Sequence, residues 1–343
     1  MPEELLVSFV IIAYNEADNI SRALAAITEL EGLPEHEIIV VDDCSSDGTA
    51  KIVIDIALRN PRVQVIELPE NRGRGHARST GIAAARGGLI AMVDADIVLP
   101  VNWLAHARAA LEGHDAVGGI AVPDGDVAYV GKRFSLVPRV VPGMTTVTGN
   151  NGLYRREVFD LASFDPALRE GEDVALNHAM VRHGLSSLTV PGLLVRHEES
   201  KSLGTSLKWL FDTGRGATRQ LVTYHEVRPP DLAAGAFVGA AAMGIVLAAR
   251  EHRLIGAAIP VGFVLAASAY HVRSRFETPR SHWRRVAPAV AVDSAMLTAY
   301  FAGRLAGLTA LWRPDHHICS AAATRSVMAS QPYSASQRSS SPA

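Results

Sequence analysis

The chain is poor in cysteine. Its 343 residues hold two, Cys44 and Cys319, which cannot build a disulfide framework or a four-thiolate metal site. Chemistry therefore falls to carboxylates, histidines and backbone groups. A charge excess is missing as well: 33 basic and 35 acidic residues leave a formal net charge of −2 and a pI near 6.7. No cationic field advertises a nucleic-acid partner, and none is expected. A signal peptide is not expected either, because Met1 to Leu6 carries two glutamates and leads into a strand pattern. What the chain does have is apolar residues, 48% against 20% charged, too many for a disordered polymer. The mean hydropathy of +0.14 is high for a soluble enzyme, and the excess is unevenly spread.

Composition changes at Arg228-Pro229-Pro230-Asp231. Before it, short β-branched runs alternate with polar helical stretches. After it, Leu232 to Trp312 is dominated by Ala, Val, Leu, Ile and Gly. Leu232 to Ala249 and Leu254 to Tyr270 hold no charge; at about 1.5 Å per residue each approaches a bilayer core of about 30 Å. They read as consecutive membrane helices joined by a tight hairpin at Arg250 to Arg253. The chain then returns to a side carrying Arg273, Arg275, Arg280, Arg284 and Arg285, which the positive-inside rule places, with the N-terminal domain, in the cytoplasm. A third apolar stretch, Val286 to Trp312, is interrupted by Asp293 and Arg304, and either spans or lies along the interface. A buried helical core is the bland alternative for all three. Leu207 to Gln220 mixes apolar, aromatic and basic residues at helical spacing, which suits an interfacial helix on anionic lipid; Arg215 and Arg219 there face either donor diphosphate or lipid. The expected division is a catalytic domain over 1–204, an amphipathic linker over 205–231, a membrane region over 232–312 and a disordered tail over 313–343.

Within the first domain, strands are expected at Val7 to Ala13, Ile38 to Val41, Val63 to Leu68 and Leu89 to Val93. Helices are expected between them, at Ala17 to Leu30, Thr49 to Arg59 and Gly75 to Ala85. Such alternation is the pattern of an α/β fold with a mainly parallel sheet covered on both faces. Ligands of such sheets collect at the carboxyl ends of the strands.

Three strand ends stop in polar residues: Tyr14-Asn15-Glu16, Asp42-Asp43-Cys44-Ser45-Ser46-Asp47-Gly48, and Asp94-Ala95-Asp96. Carboxylates clustered on one rim repel one another, so they suit a hard divalent cation, Mg²⁺ or Mn²⁺, through which a diphosphate binds. Residues two apart on an extended chain share a face, which lets Asp94 and Asp96 share one ion. Each acidic pair also has a structural reading, as caps or turns; Asp47 and Ser45 are expected to shape their loop while Asp42 or Asp43 meets a ligand. Gly73-x-Gly75 lacks the full dinucleotide-binding spacing because position 78 is Arg. That loop instead brings Arg72, Arg74 or Arg78 toward phosphate, or merely solvates them.

Taken in order, Phe9 to Glu16, Glu37 to Thr49, Asn71 to Arg78, Asp94 to Asp96 and Gly171 to Leu176 resemble the family 2 glycosyltransferases. The resemblance covers roughly residues 7 to 200. It implies a GT-A nucleotide-sugar domain in which Ala13, Tyr14 and Glu16 border the nucleotide and Asp42 or Asp43 contacts the base. Asp94, Ala95 and Asp96 would hold metal and diphosphate, with Asp96 the more direct ligand, Arg78 near phosphate and His197 a further metal ligand or a structural histidine. Asp173, helped by Glu172, looks like the general base for in-line attack with inversion. Thr148 to Arg156 resembles the family's acceptor-side stretch. Cys44 stands where relatives usually carry glycine, which questions loop shape, not activity.

The function this implies is sugar transfer from a nucleotide-diphosphate donor to an acceptor hydroxyl, on a lipid-linked glycan or a cell-envelope polysaccharide precursor at the inner membrane. Two alternatives stand beside it. A polyprenyl-phosphate sugar synthase has an acceptor that is already an anion and needs no base. A membrane-anchored scaffold would only bind nucleotide-sugar.

Overall fold

The computed structural model describes residues 6–122, 125–138, 147, 149–169, 171–197, 202–225, 227, 229–277 and 283–310. The expected tail 313–343, Thr148 and Arg280 lie outside the described residues.

The chain begins with β1 (Val7–Ala13), α1 (Ile20–Thr28), β2 (His36–Asp42), α2 (Thr49–Ala57), β3 (Val63–Glu67), α3 (Arg74–Ala84) and β4 (Leu89–Asp94). The expected alternation of strand and helix is thus observed. It continues through β5 (Ile97–Val98), α4 (Trp103–Leu111), β6 (Ala116–Val122), α5 (Gly125–Phe134), β7 (Val137–Pro138), β8 (Asn151–Arg155), α6 (Val158–Leu161), α7 (Glu172–Arg182) and β9 (Ser187–His197). Eight strands form one sheet in the order β3-β2-β1-β4-β8-β6-β9-β5. The β3-β2-β1-β4 half is parallel, whereas β8 pairs antiparallel with both β4 and β6, so the sheet is mixed and mainly parallel.

Alternation along each strand explains why both faces are covered. Phe9, Ile11, Ile38 and Val40 pack with Ile20, Leu24 and Ile27 of α1 and with Trp103. Val10, Ile12, Ile39 and Val41 pack on the other face with Ala77, Phe164, Leu176 and Met180. Each fully buried side chain of this size stabilises by about 1.5–3 kcal/mol. Ser8, the one polar residue of β1, is also fully buried, and it is satisfied rather than tolerated. Its hydroxyl donates to Glu37 Oε1 at 2.7 Å and accepts from the Gly87 amide at 2.7 Å.

Four long helices follow: α8 (Leu203–Tyr224), α9 (Pro229–Ala249), α10 (Arg253–Arg275) and, after the short strand β10 (Phe276–Glu277), α11 (Trp283–Ala310). β10 pairs with β7, which ties the end of α10 back to the N-terminal half. Pro230–Ala249, Arg253–Arg275 and Arg284–Leu308 are long and apolar enough to cross a membrane. The last lies beside α8: the two backbones approach closely at Gly214 and Tyr300, at Phe211 and Gly303, and at Thr218 and Gly307. A buried cluster of Leu210, Val130, Leu136, Val272, Phe276 and Met296 joins α5, α8, α10 and α11.

Candidate active site

Strands β1, β2 and β4 are aligned so that Ala13 pairs with Asp42 and Ile12 with Asp94. Their carboxyl ends therefore open onto one rim. The first two loops on that rim are stitched together. The amides of Asn15, Glu16 and Ala17 donate to Ser45 Oγ, Thr49 Oγ1 and Asp47 Oδ2 at 2.8, 2.8 and 3.0 Å. Asp47 and Ser45 thus shape the loop. Cys44 has φ +65°, the left-handed conformation that glycine adopts without strain, which explains why a glycine suits this position.

A cleft of about 460 Å³ lies at this rim, lined by Ile12, Ala13, Tyr14, Glu16, Asp43, Asn71, Gly73, Arg74, Ala77, Asp94, Ala95, Asp96, Asn150, Arg169, Lys208, Trp209 and Asp212. Its size matches a small-ligand site. Seven residues singled out from the sequence stand on its wall: Ala13, Tyr14, Glu16, Asp43, Asp94, Ala95 and Asp96. Of the two candidate aspartates at the end of β2, Asp43, just past the strand, faces the cleft; its oxygens accept the Arg72 and Gly73 amides at 2.9 and 2.8 Å. Asp42 turns into the protein, 2% exposed. One of its oxygens takes the Ser45 amide at 2.9 Å, while the other is buried without a hydrogen-bond partner. β4 ends at Asp94, so Asp94 and Asp96 reach the cleft across a turn rather than along a strand.

Arg78 does not line the cleft. It is 1% exposed, and its guanidinium bridges Asp94 Oδ1 at 2.9 Å and Glu172 Oε1 at 3.1 Å while donating to the Gly149 carbonyl. Phe164 lies against it at 5.6 Å. Burial works against its charge, but Asp94 and Glu172 outweigh burial and raise its pKa. Arg78, expected near phosphate, is turned inward, where Asp94 and Glu172 claim its donors. Of the three arginines in that loop, Arg74 lines the cleft.

Glu172 and Asp173 open α7. Glu172 is buried against Arg78, with Oε2 lacking a hydrogen-bond partner. Asp173 is more accessible. It is not among the residues that line the cleft. Burial, then the Glu172 charge, pushes its carboxyl above the ordinary range, while Arg74, Arg78 and the Val174 amide pull the other way. Asn151 ties the sheet together, accepting from Trp103 Nε1 at 2.7 Å and donating to the Leu193 carbonyl at 2.8 Å. His197 belongs to the described part through its backbone alone, which pairs with Ile97 next to Asp96.

Sequence reasoning missed the contribution of α8. Lys208, Trp209 and Asp212 line the cleft; an acidic residue in an otherwise basic and aromatic helix was the available signal. Arg215 and Arg219 do not line it, and Arg215 lies 3.5 Å from Asp212. The donor set fits a hard divalent cation shared with a diphosphate. Two carboxylates, Asp94 and Asp96, stand on one wall, and Asn150 Oδ1 is buried there without a hydrogen-bond partner. Among the described residues no group of three or more His, Cys, Asp or Glu side chains forms a protein-only cage, and Mg²⁺-type sites commonly complete their shell with phosphate and water.

Residues 8–161 match the family Glycosyl transferase family 2. Succinoglycan biosynthesis protein ExoO of Rhizobium meliloti is 39% identical over 193 residues, covering 50% of this chain and 54% of that protein. Dolichyl-phosphate beta-glucosyltransferase ALG5C of Trichomonas vaginalis is 42% identical over 136 residues, covering 38% of this chain and 40% of that protein. The chain thus spans about half the length of these curated relatives, or less. Among solved structures, mannosyltransferase PcManGT from Pyrobaculum calidifontis, in complex with GDP-Man and Mn²⁺, superposes with a TM-score of 0.56 at 22% identity, covering 90% of this chain and 88% of that one. Residues 8–161 thus carry a Glycosyl transferase family 2 domain, the fold is GT-A-like, and among the described residues three long apolar helices follow it.

Proposed function

We propose that the chain is a metal-dependent, inverting glycosyltransferase that moves a sugar from a nucleotide-diphosphate donor to an acceptor hydroxyl on a lipid-linked glycan or cell-envelope polysaccharide precursor. The observation that carries this reading is the cleft at the ends of β1 and β4, whose Asp94 is held through Arg78 to Glu172, the first residue of α7. Asp94 and Asp96 would hold Mg²⁺ or Mn²⁺, which when bound supplies positive charge against the departing diphosphate. Tyr14, Glu16 and Asp43 border the nucleotide, and Arg74 and Arg169 meet its phosphates. Asp173 accepts the acceptor hydroxyl proton as that oxygen forms its bond to the anomeric carbon. The bond from that carbon to the diphosphate breaks on the opposite face, so configuration inverts and the nucleoside diphosphate leaves. A raised pKa suits a carboxylate that must take a proton.

A second reading is a polyprenyl-phosphate sugar synthase. Three basic side chains on the cleft wall, Arg74, Arg169 and Lys208, favour it, as does the printed name of the dolichyl-phosphate relative. Its phosphate acceptor needs no base, so an active Asp173→Asn variant would select it. Binding without turnover on a broad acceptor panel would select the scaffold reading.

Packing and composition support a membrane reading. We place α9 and α10 in the inner membrane as a hairpin, with the catalytic domain on the cytoplasmic side next to Arg273, Arg275, Arg284 and Arg285. α11 runs beside α8, whose Arg215 and Arg219 are exposed. Crossing the bilayer would carry those charges with it, so α11 lies at the interface.

The test uses the full chain in detergent with a panel of nucleotide-sugars and Mn²⁺ or Mg²⁺. Metal-dependent thermal stabilisation and nucleotide release by at least one donor are expected; neither response across the panel would sink the proposal.

A further inference from the structure

We propose that Gln220 is a positioning residue that holds the first turn of α7, and with it the Asp173 carboxylate, from the membrane-side helix α8. The inference rests on the reading of Asp173 as the base.

Gly171 precedes α7 with φ +76°, a left-handed conformation in which any other residue would be strained. Its carbonyl accepts two bonds, one from the Ala175 amide at 3.1 Å and one from Gln220 Nε2 at 3.1 Å. A Cβ at position 171 would land on the Gln220 amide nitrogen. Backbone conformation and the space taken by Gln220 therefore both call for glycine. One turn further along α8, Tyr224 packs on His178 with ring centroids 4.5 Å apart, so α8 grips α7 at two points. From the sheet side, Glu172 is locked to Arg78. Asp173 follows directly, and the rotation of this turn sets where its carboxylate points. α8 is in turn bound to α11, where Thr218 Oγ1 donates to the Arg304 carbonyl at 2.9 Å. The membrane-side helices thereby reach the turn that carries Asp173 through the Gln220 amide, with the Tyr224 ring one turn away.

The experiment uses the full chain in detergent and the nucleotide-sugar that stabilises it most. Gln220→Met keeps length without a donor, and Gln220→Glu keeps shape without an N–H. Whichever folds should lose tenfold or more in kcat with donor KM within twofold, shift the acidic limb of the kcat–pH profile, and exchange the 172–175 amides faster. A merely packing role predicts a wild-type kcat and an unmoved limb, and that result overturns the inference. Asp173→Asn is measured alongside. If it retains transfer, the base reading fails and this inference with it. If it is inactive while a folded Gln220 variant is fully active, only this inference fails.

Discussion

Arg78 and Asp94 form an ion pair, Nη2 to Oδ1 at 2.9 Å, in which a buried arginine holds an aspartate that lines the cleft. The same guanidinium reaches Glu172 at 3.1 Å. One planar group thus links the end of β4 to the start of α7, seventy-odd residues apart in sequence. An ammonium cannot reproduce that fork. Arg78→Met should lower stability by about 3–5 kcal/mol, because it leaves carboxylates buried without their partner. The unfolding midpoint measures it, and an unchanged midpoint would mean that the bridge contributes nothing.

Asp173 should govern the acidic limb of the rate. Its raised pKa means that it takes up its proton at a higher pH than an ordinary aspartate. A general base works only when deprotonated, so kcat should fall as pH drops through that raised value. Asp173→Asn should reduce kcat by about 10²–10⁴ with donor KM little changed. Steady-state rates across pH test both; an acidic limb at ordinary aspartate pH would contradict the first.

Stability should also fall in acid, but at lower pH, because the carboxylates that set it are shifted downward. Burial alone would raise Glu37, but hydrogen bonds from Ser8 and Arg86, and the Arg86 charge, bring it below the usual range. Asp47 and Asp115 are lowered as well. A group lowered on folding stabilises above its unfolded pKa, roughly 4, and that contribution is lost as pH falls through the folded value. The melting temperature should therefore drop below about pH 4. Ser8→Ala should blunt this dependence, since it removes one cause of the Glu37 shift; an identical profile would contradict the assignment.

The proposed interfacial placement of α11 predicts that a tag appended after Ala343 stays on the same side as the N-terminal α/β domain. Protease protection in intact and permeabilised spheroplasts reads it directly. Cleavage of the tag in intact cells would mean that α11 crosses.

How much was legible depended on how local the cause was. The strands to Asp94 were readable because Val, Ile and Ala runs on a parallel sheet are apolar throughout. The far half of the sheet was not: β6 reads Ala-Val-Gly-Gly-Ile-Ala-Val, and its pairing with β8 and β9 depends on partners distant in sequence. The acidic strand ends were visible as residue types at strand termini. The inward turn of Arg78 was not, because spacing reveals a cation but not the buried carboxylates that claim it. Likewise, Leu207 to Gln220 showed an amphipathic helix, yet its cleft-facing and Gly171-facing residues emerge only when α8 is laid across the domain.

The cluster of Leu210, Val130, Val272, Phe276 and Met296 has a practical outcome for anyone trimming the gene. Stopping after residue 230 would strip α10 and α11 from α8 and α5 and bare a greasy flank beside the cleft mouth. A shortened enzyme of that kind should precipitate, or demand detergent although no span remains. The α/β domain and the apolar helices are better regarded as a common folding unit than as a head on a removable stalk.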